Sequence, residues 1–213
     1  MQRREVIKNI GLSLGFVAAT PTLMSILQSC TSDPKVTWTP EFFTQEEGSV
    51  LSKMVDVILP KTDDLPGAAE LNVPQFIDKY IKEVYSPEDQ KLAKDGMRAF
   101  TAKLGVEDPK DLPGVKDKDV EKIIADALSL GEDQRRDLDR KLRAYKDSDD
   151  GAAPENQDAL VFGFVKDVRG KTIYGFKISE YIGEEVLAYD PIPGKQQGCI
   201  SLEEATGGKL WSL

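Results

Sequence analysis

The chain has no histidine and only two cysteines, Cys30 and Cys199, in its 213 residues. Without imidazole there is no Ser-His-Asp or Cys-His catalysis, no imidazole proton shuttle, no His-ligated zinc and no bis-His haem. There is also no Cys-x-x-Cys-His stretch for covalent haem, no Gly-x-Gly-x-x-Gly and no Walker-type phosphate loop. Long apolar runs are missing as well. Ile10 to Ala19 is stopped by Thr20-Pro21-Thr22 and supplies about half of the roughly twenty residues that cross a bilayer core. Positive charge is the scarce sign: 28 Lys and Arg stand against 37 Asp and Glu, for a net charge of −9. So acidic a surface repels nucleic acid and anionic lipid, and no nucleic-acid partner is expected. Carboxylates, tyrosines, lysines and thiols are what remain for chemistry. Independent enzymatic activity is therefore not expected of this chain.

What is present begins with a tripartite leader. Arg3-Arg4-Glu5-Val6-Ile7-Lys8 gives the basic start, Ile10 to Ala19 the short apolar middle, and Leu27-Gln28-Ser29-Cys30 the close. The Arg3-Arg4 pair resembles a twin-arginine (Tat) signal, which exports proteins already folded. The close resembles a bacterial lipobox, with Cys30 as the lipid-bearing residue and Gln28 an uncommon neighbour. Residues 1–29 are expected to be the export signal and residues 30–43 a tether, leaving a chain of ordinary single-domain size. The exported protein is expected in the periplasm, with acyl chains rather than a basic patch holding it to a membrane. If Cys30 is lipidated, Cys199 is left without an internal disulfide partner.

The remainder reads as helices. The tether carries Trp38, Phe42 and Phe43, positioned to dock on the domain. Thr44 and Glu47 form a capping box ahead of the stripe Val50, Leu51, Met54, Val55, Ile58 and Leu59, which Pro60 ends. After the Pro66-Gly67-Ala68-Ala69 loop, Asn72 is expected to cap a second helix through Val84. Ser86-Pro87-Glu88-Asp89 starts a third, with Gly105 past its end. Asp108 to Lys118 reads as a connection, and Val120 to Leu128 as a fourth helix. Asp133 to Lys146 is helical by propensity but nearly all charged, so it should lie on the surface. Ala159 to Ile178 is apolar almost all round, which makes it the central helix, with a break expected at Gly170. Tyr189-Asp190-Pro191-Ile192-Pro193-Gly194 cannot hold a helix. The fold class is thus all-α: a bundle of five to six helices over 44–182, with an extended or irregular C-terminal arm over 183–213 that packs on the bundle or a partner.

Several stretches recur in one order. Val57-Ile58-Leu59-Pro60 is followed by Pro66-Gly67-Ala68, Val73-Pro74-Gln75-Phe76-Ile77-Asp78, Tyr174-Gly175-Phe176 with Ser179-Glu180, and Tyr-x-Pro-x-Pro-Gly with Gly198-Cys199. Together with the leader they resemble the gluconate 2-dehydrogenase subunit 3 family, over nearly the whole chain. That resemblance implies a non-catalytic small subunit, with no cofactor of its own, of a membrane-bound sugar dehydrogenase. A large FAD-dependent subunit of the glucose-methanol-choline oxidoreductase type would oxidise the sugar. A haem-bearing cytochrome c subunit, or another acceptor, would take the electrons. The small subunit would carry the export signal for both and escort the folded flavoprotein.

Tyr174, Phe176, Tyr181 and Tyr189 are candidates for the partner-facing surface, against the commoner role of core packing. Cys199 is a candidate for bonding a partner or approaching its cofactor, although a lone thiol more often packs as a small hydrophobe. Neither Asp63-Asp64 nor Asp149-Asp150 has the alternating ligand spacing of a calcium loop. Glu184-Glu185 has no supporting third group, and adjacent side chains diverge on a helix or strand. A chain of this kind also admits a different reading, a stand-alone lipoprotein that binds a ligand or scaffolds the envelope.

Overall fold

The computed structural model describes residues 38–147, 156–192, 194 and 198–212. Arg3, Arg4, Cys30 and Asp149-Asp150 lie outside the described residues. Six long helices form the domain, within the expected five to six, and no strand occurs among the described residues.

Helix α1 (Gln45–Ile58) starts at the expected capping box: Glu47 N–H donates to the Thr44 hydroxyl and Thr44 N–H to the Glu47 carboxylate. Its stripe of Val50, Leu51, Met54 and Val55 is buried. Helix α2 (Val73–Val84) starts at Asn72, but the cap works differently from the expectation. Asn72 is left-handed, at φ 59°, and makes no side-chain cap; its amide oxygen accepts from the Gln75 side chain instead. Helix α3 (Pro87–Lys103) is capped by the Ser86 hydroxyl, which accepts from Asp89 N–H, and Gly105 follows its end at φ 69°. The connection after it is not structureless. Pro109–Gly114 winds as a 3₁₀ turn, begun by the Asp108 carboxylate accepting from Lys110 N–H, and buries Leu112 against α1. Helix α4 (Asp117–Leu128) follows, then α5 (Glu132–Lys146), charged and mostly exposed except for the buried Tyr145.

Helix α6 (Gln157–Lys177) is the axis, packing on all five preceding helices. It runs through Gly170 without the expected break. One glycine in a helix costs only about 1 kcal/mol. Val165 and Val168 before it and Thr172 after it are all fully buried, and that packing outweighs so small a penalty. The approach of neighbours is set by three other glycines. A side chain at Gly96 of α3 would come within 2.7 Å of the Phe164 Cβ, and one at Gly163 within 2.5 Å of Leu142. At Gly175 it would meet Phe76 of α2 at 2.8 Å.

Polar groups in the core are matched across elements. Asp78, 1% exposed on α2, accepts backbone N–H bonds from Glu41 (2.6 Å), Phe42 (3.1 Å) and Phe43 (2.9 Å). This seats Phe43 in the core beside Phe164, as the expected aromatic docking requires. Lys94 adds a bond to the Phe42 carbonyl at 2.7 Å. Buried Asp95 of α3 accepts from the Tyr145 hydroxyl of α5 at 2.7 Å and from Lys91 and Arg98. On the outer side of α6, Lys171 lies over the rings of Tyr80 and Tyr85 and pairs with Asp167, which also accepts the Tyr85 hydroxyl. Burial, reinforced by Asp167, holds the Tyr85 phenol far above its usual range; burial and Asp95 also raise Tyr145.

After α6 a single π-helical turn, Tyr181–Val186, buries Ile182 and Gly183. The arm, expected to be extended or irregular, contains one short regular element. A short helix α7 (Leu202–Thr206) forms where the Ser201 hydroxyl accepts from Glu204 N–H and Gly207, left-handed, stops it. The chain then returns, and Trp211 forms an isolated parallel bridge with Ala188.

Three outcomes follow from this packing. Gly96→Ala should lower stability by about 1–3 kcal/mol, read from urea unfolding, because the new methyl meets a Cβ and not a flexible tip. Asp78→Ala should cost about 2–3 kcal/mol by leaving three backbone donors, that of Phe43 fully buried, without their acceptor, and Asp78→Asn less, since its amide oxygen still accepts. Tyr85 and Tyr145 bind their protons more tightly folded than unfolded. Their contribution to stability is therefore complete below the unfolded pKa of about 10 and is lost as the pH climbs past it. In an ultraviolet titration the native chain should release fewer phenol protons near pH 10 than the urea-unfolded chain, and Tyr85→Phe should narrow that difference.

Candidate functional site: an exposed apolar face at the end of the central helix

The last turns of α6 change character. Tyr174 and Ile178, four residues apart on one side of the helix end, are 49% and 41% exposed, while Gly175 between them is buried. Phe76 of α2 stacks against Tyr174 at 6.0 Å, fixing the ring without covering it. Tyr181 follows, exposed at the start of the π-turn. Along the arm Tyr189, Ile192, Ile200, Leu202, Leu210 and Trp211 are all exposed. The return of the chain ties the face together: Ala188 N–H donates to the Leu210 carbonyl at 2.8 Å and Ser212 N–H to the Ala188 carbonyl at 2.9 Å. The apolar arm thus lies beside the π-turn without burying its own side chains in the bundle.

The π-turn also gathers charge. The turn is closed by Leu187 N–H on the Ile182 carbonyl, and Glu70, Glu180, Glu184 and Glu185 line an open cleft of about 530 Å³ beside it. Tyr181, Leu71 and Asn72 line the same cleft. Glu184 and Glu185 both line it.

The sequence candidates separate accordingly. Tyr174, Tyr181 and Tyr189 stand on the exposed face, whereas Phe176 is partly buried and packs against the core. Cys199, a partner-facing candidate weighed against packing as a small hydrophobe, is exposed, at a left-handed φ of 57°. Trp211, Leu210 and Ile192 are exposed on the same arm; sequence reasoning had these apolar residues pack on something but did not place them among the site candidates. Their signal was available: large apolar residues in a stretch whose prolines and glycines deny it a place in the helical core.

Two other grooves lie on the bundle. One of about 600 Å³ between α4, α5 and α6 is floored by Leu130, Leu138 and Phe162. The other, of about 400 Å³, lies over Tyr85, Asp167 and Lys171. Each holds an ion pair within its lining, Asp158 with Lys103 in the first and Asp167 with Lys171 in the second. Among the described residues no group of three or more Cys, Asp or Glu is arranged to hold a metal ion. No helix among them is long and apolar enough to cross a membrane.

Against known proteins, residues 45–194 match the family model of gluconate 2-dehydrogenase subunit 3. No curated protein and no solved structure matches the chain. The match runs from the first residue of α1 through the π-turn and into the arm, so it covers the bundle and much of the exposed face. The chain belongs to the gluconate 2-dehydrogenase subunit 3 family, whose members are subunits of a dehydrogenase complex.

Proposed function

We propose that this chain is the non-catalytic small subunit of an exported FAD-dependent sugar dehydrogenase, and that the exposed apolar face is where it holds the flavoprotein. The observation that carries this reading is the set of large side chains from Tyr174 to Trp211 left in solvent. Large apolar side chains left exposed in number mark interaction surfaces, and tyrosine and tryptophan are the residues most used as interface anchors. In a family of complex subunits, a partner is the economical occupant of such a face.

The rest of the reading follows from the leader. Arg3-Arg4 delivers a folded assembly to the export machinery, so the small subunit carries its partner across the membrane as a passenger. Cys30, once lipidated, holds the complex at a membrane leaflet on the periplasmic side. FAD belongs to the glucose-methanol-choline type large subunit and haem c to a cytochrome partner. The exposed Cys199, on the same arm, faces the partner rather than the core.

Purified from its native cells through a tag, the chain should bring down a yellow flavoprotein that oxidises a sugar, whereas the chain alone should be colourless and inert. Trp211→Ala combined with Tyr189→Ala should weaken the association by at least about 2 kcal/mol, roughly thirtyfold, in a binding titration. A chain that emerges as a stable monomer with no flavoprotein, from membranes that contain one, overturns the assignment.

A further inference from the structure

We infer that an oxidation suffered at Tyr174 on the exposed face is drawn inward along a row of rings and held at Tyr85, a radical sink that spares the face from cross-linking. This does not depend on what the face binds. A continuous line of aromatic contacts starts at Tyr174, 49% exposed at the end of α6. Tyr174 lies 6.0 Å from Phe76, Phe76 lies 5.6 Å from Tyr80, and Tyr80 lies 5.9 Å from Tyr85, centre to centre. The line follows α2 and ends just past it, where the Tyr85 hydroxyl donates to the two Asp167 oxygens at 2.8 and 2.7 Å. The other run of ring contacts, through Phe42, Phe43, Phe164 and Phe100, consists of phenylalanine alone, which gives up an electron far less readily than a phenol.

A phenol that loses an electron becomes a very strong acid, so the electron leaves readily only where a base stands ready for the proton. Tyr85 has that base in Asp167. Lys171, 4.9 and 4.8 Å from the Tyr80 and Tyr85 ring centres, opposes positive charge on either ring. Neither ring can rest as a radical cation, and the hole settles where the proton departs with the electron. An oxygen-derived radical takes a hydrogen atom from the Tyr174 hydroxyl. An electron then passes from Tyr85 through Tyr80 and Phe76 to Tyr174, which takes a proton from water, while the Tyr85 proton moves to Asp167. Tyr174 is restored, and Tyr85 becomes a neutral phenoxyl radical beside a protonated Asp167. A small reductant of the ascorbate type returns the electron, and Asp167 returns the proton. Phenoxyl rings that meet in solvent join irreversibly, and Tyr174, Tyr181 and Tyr189 are open to that reaction. Tyr85 is partly buried, with Lys171 over its ring and Tyr80 at its side.

The test uses the full-length chain by itself, so its outcome is separate from whether a flavoprotein binds. Photogenerated tris(bipyridine)ruthenium(III) serves as the one-electron oxidant. Freeze-quenched samples are read by electron paramagnetic resonance, and dityrosine by its fluorescence. The parent chain should give a long-lived tyrosyl signal. Tyr85→Phe keeps the ring and its neighbours but has no phenol, so the long-lived signal should disappear and dityrosine should rise. Asp167→Asn leaves the Tyr85 phenol in place and removes the base, and the same two changes are expected. A loss of signal there cannot come from a missing phenol. Phe76→Leu interrupts the line without touching Tyr85 or Asp167, and it too should raise dityrosine. A long-lived signal that persists in Tyr85→Phe overturns the inference. So does a signal in Asp167→Asn equal to the parent's, or a dityrosine yield that none of the three substitutions raises.

Discussion

The Asp78 carboxylate, shut away under the N-terminal segment, receives the backbone N–H groups of Glu41, Phe42 and Phe43 and fixes where the chain enters the bundle. A carboxylate this deeply buried is tolerated only when donors surround it, and three successive backbone amides do so. Each is also a donor that needed a partner, because residues 41–43 precede α1 and have no helical acceptor. The consequence is long-range. Glu41 is held further by Lys79 and Lys82 of α2, Phe42 lies under Lys94 of α3, and Phe43 reaches Phe164 on α6. One side chain thus coordinates the entry strap with three helices.

Around that entry the bundle is organised by how closely α6 can be approached. Gly96, Gly163 and Gly175 let α3, α5 and α2 come near enough for their side chains to reach across the axis. Leu142 lies over Gly163 and Phe76 over Gly175, while Phe164 of α6 fills the space at Gly96. Interiors packed to this density register a single added methyl, which is why these crossings constrain the fold more than the surface ion pairs do. The Asp95–Tyr145 bond between α3 and α5 gives the otherwise charged α5 its one deep attachment. Together these contacts make a rigid body, on which the end of α6 and the π-turn are held in place.

Much of this was legible in the sequence where a feature is local and periodic. The Thr44–Glu47 box, the Ser86-Pro87 start, the α1 stripe and the all-round apolar α6 depend on spacing within one element, and spacing survives translation into structure. The misses share another cause: each was decided by a neighbour the sequence does not show. Gly170 looked like a break, yet buried packing on either side carries the helix through it. Asn72 marks the right boundary by adopting a left-handed backbone rather than by capping with its side chain. Asp108 opened a 3₁₀ turn because Leu112 had α1 to bury against. Ser201-Leu202-Glu203-Glu204 is different, since that start signal is local and was overlooked beside the prolines of the arm. The aromatic candidates were legible as a set, but which of them faced solvent was not. Phe176 and Tyr174, two positions apart, fall on opposite sides of that question because only Tyr174 lies on the side of α6 that its neighbours leave open.

The contrast between the two halves of the described chain is itself the functional argument. Within the bundle nearly every expensive group has been satisfied: Asp78 and Asp95 have their donors, Tyr85 has Asp167, and the apolar stripes have each other. At the end of α6 and along the arm the apolar groups are not covered, and large side chains stand in water. Such a state persists in a folded protein when the missing contacts lie on another molecule, because unpaired apolar surface is what association removes from water. The arm does not lack order of its own: Ser201 caps its short helix, Gly207 ends it, and the Ala188–Trp211 bridge returns it to the π-turn. That local order presents the apolar residues in advance of binding and so lowers the entropy an encounter must overcome. A subunit built in this way is packed to completion within the bundle and leaves large apolar side chains uncovered at the end of α6 and along the arm.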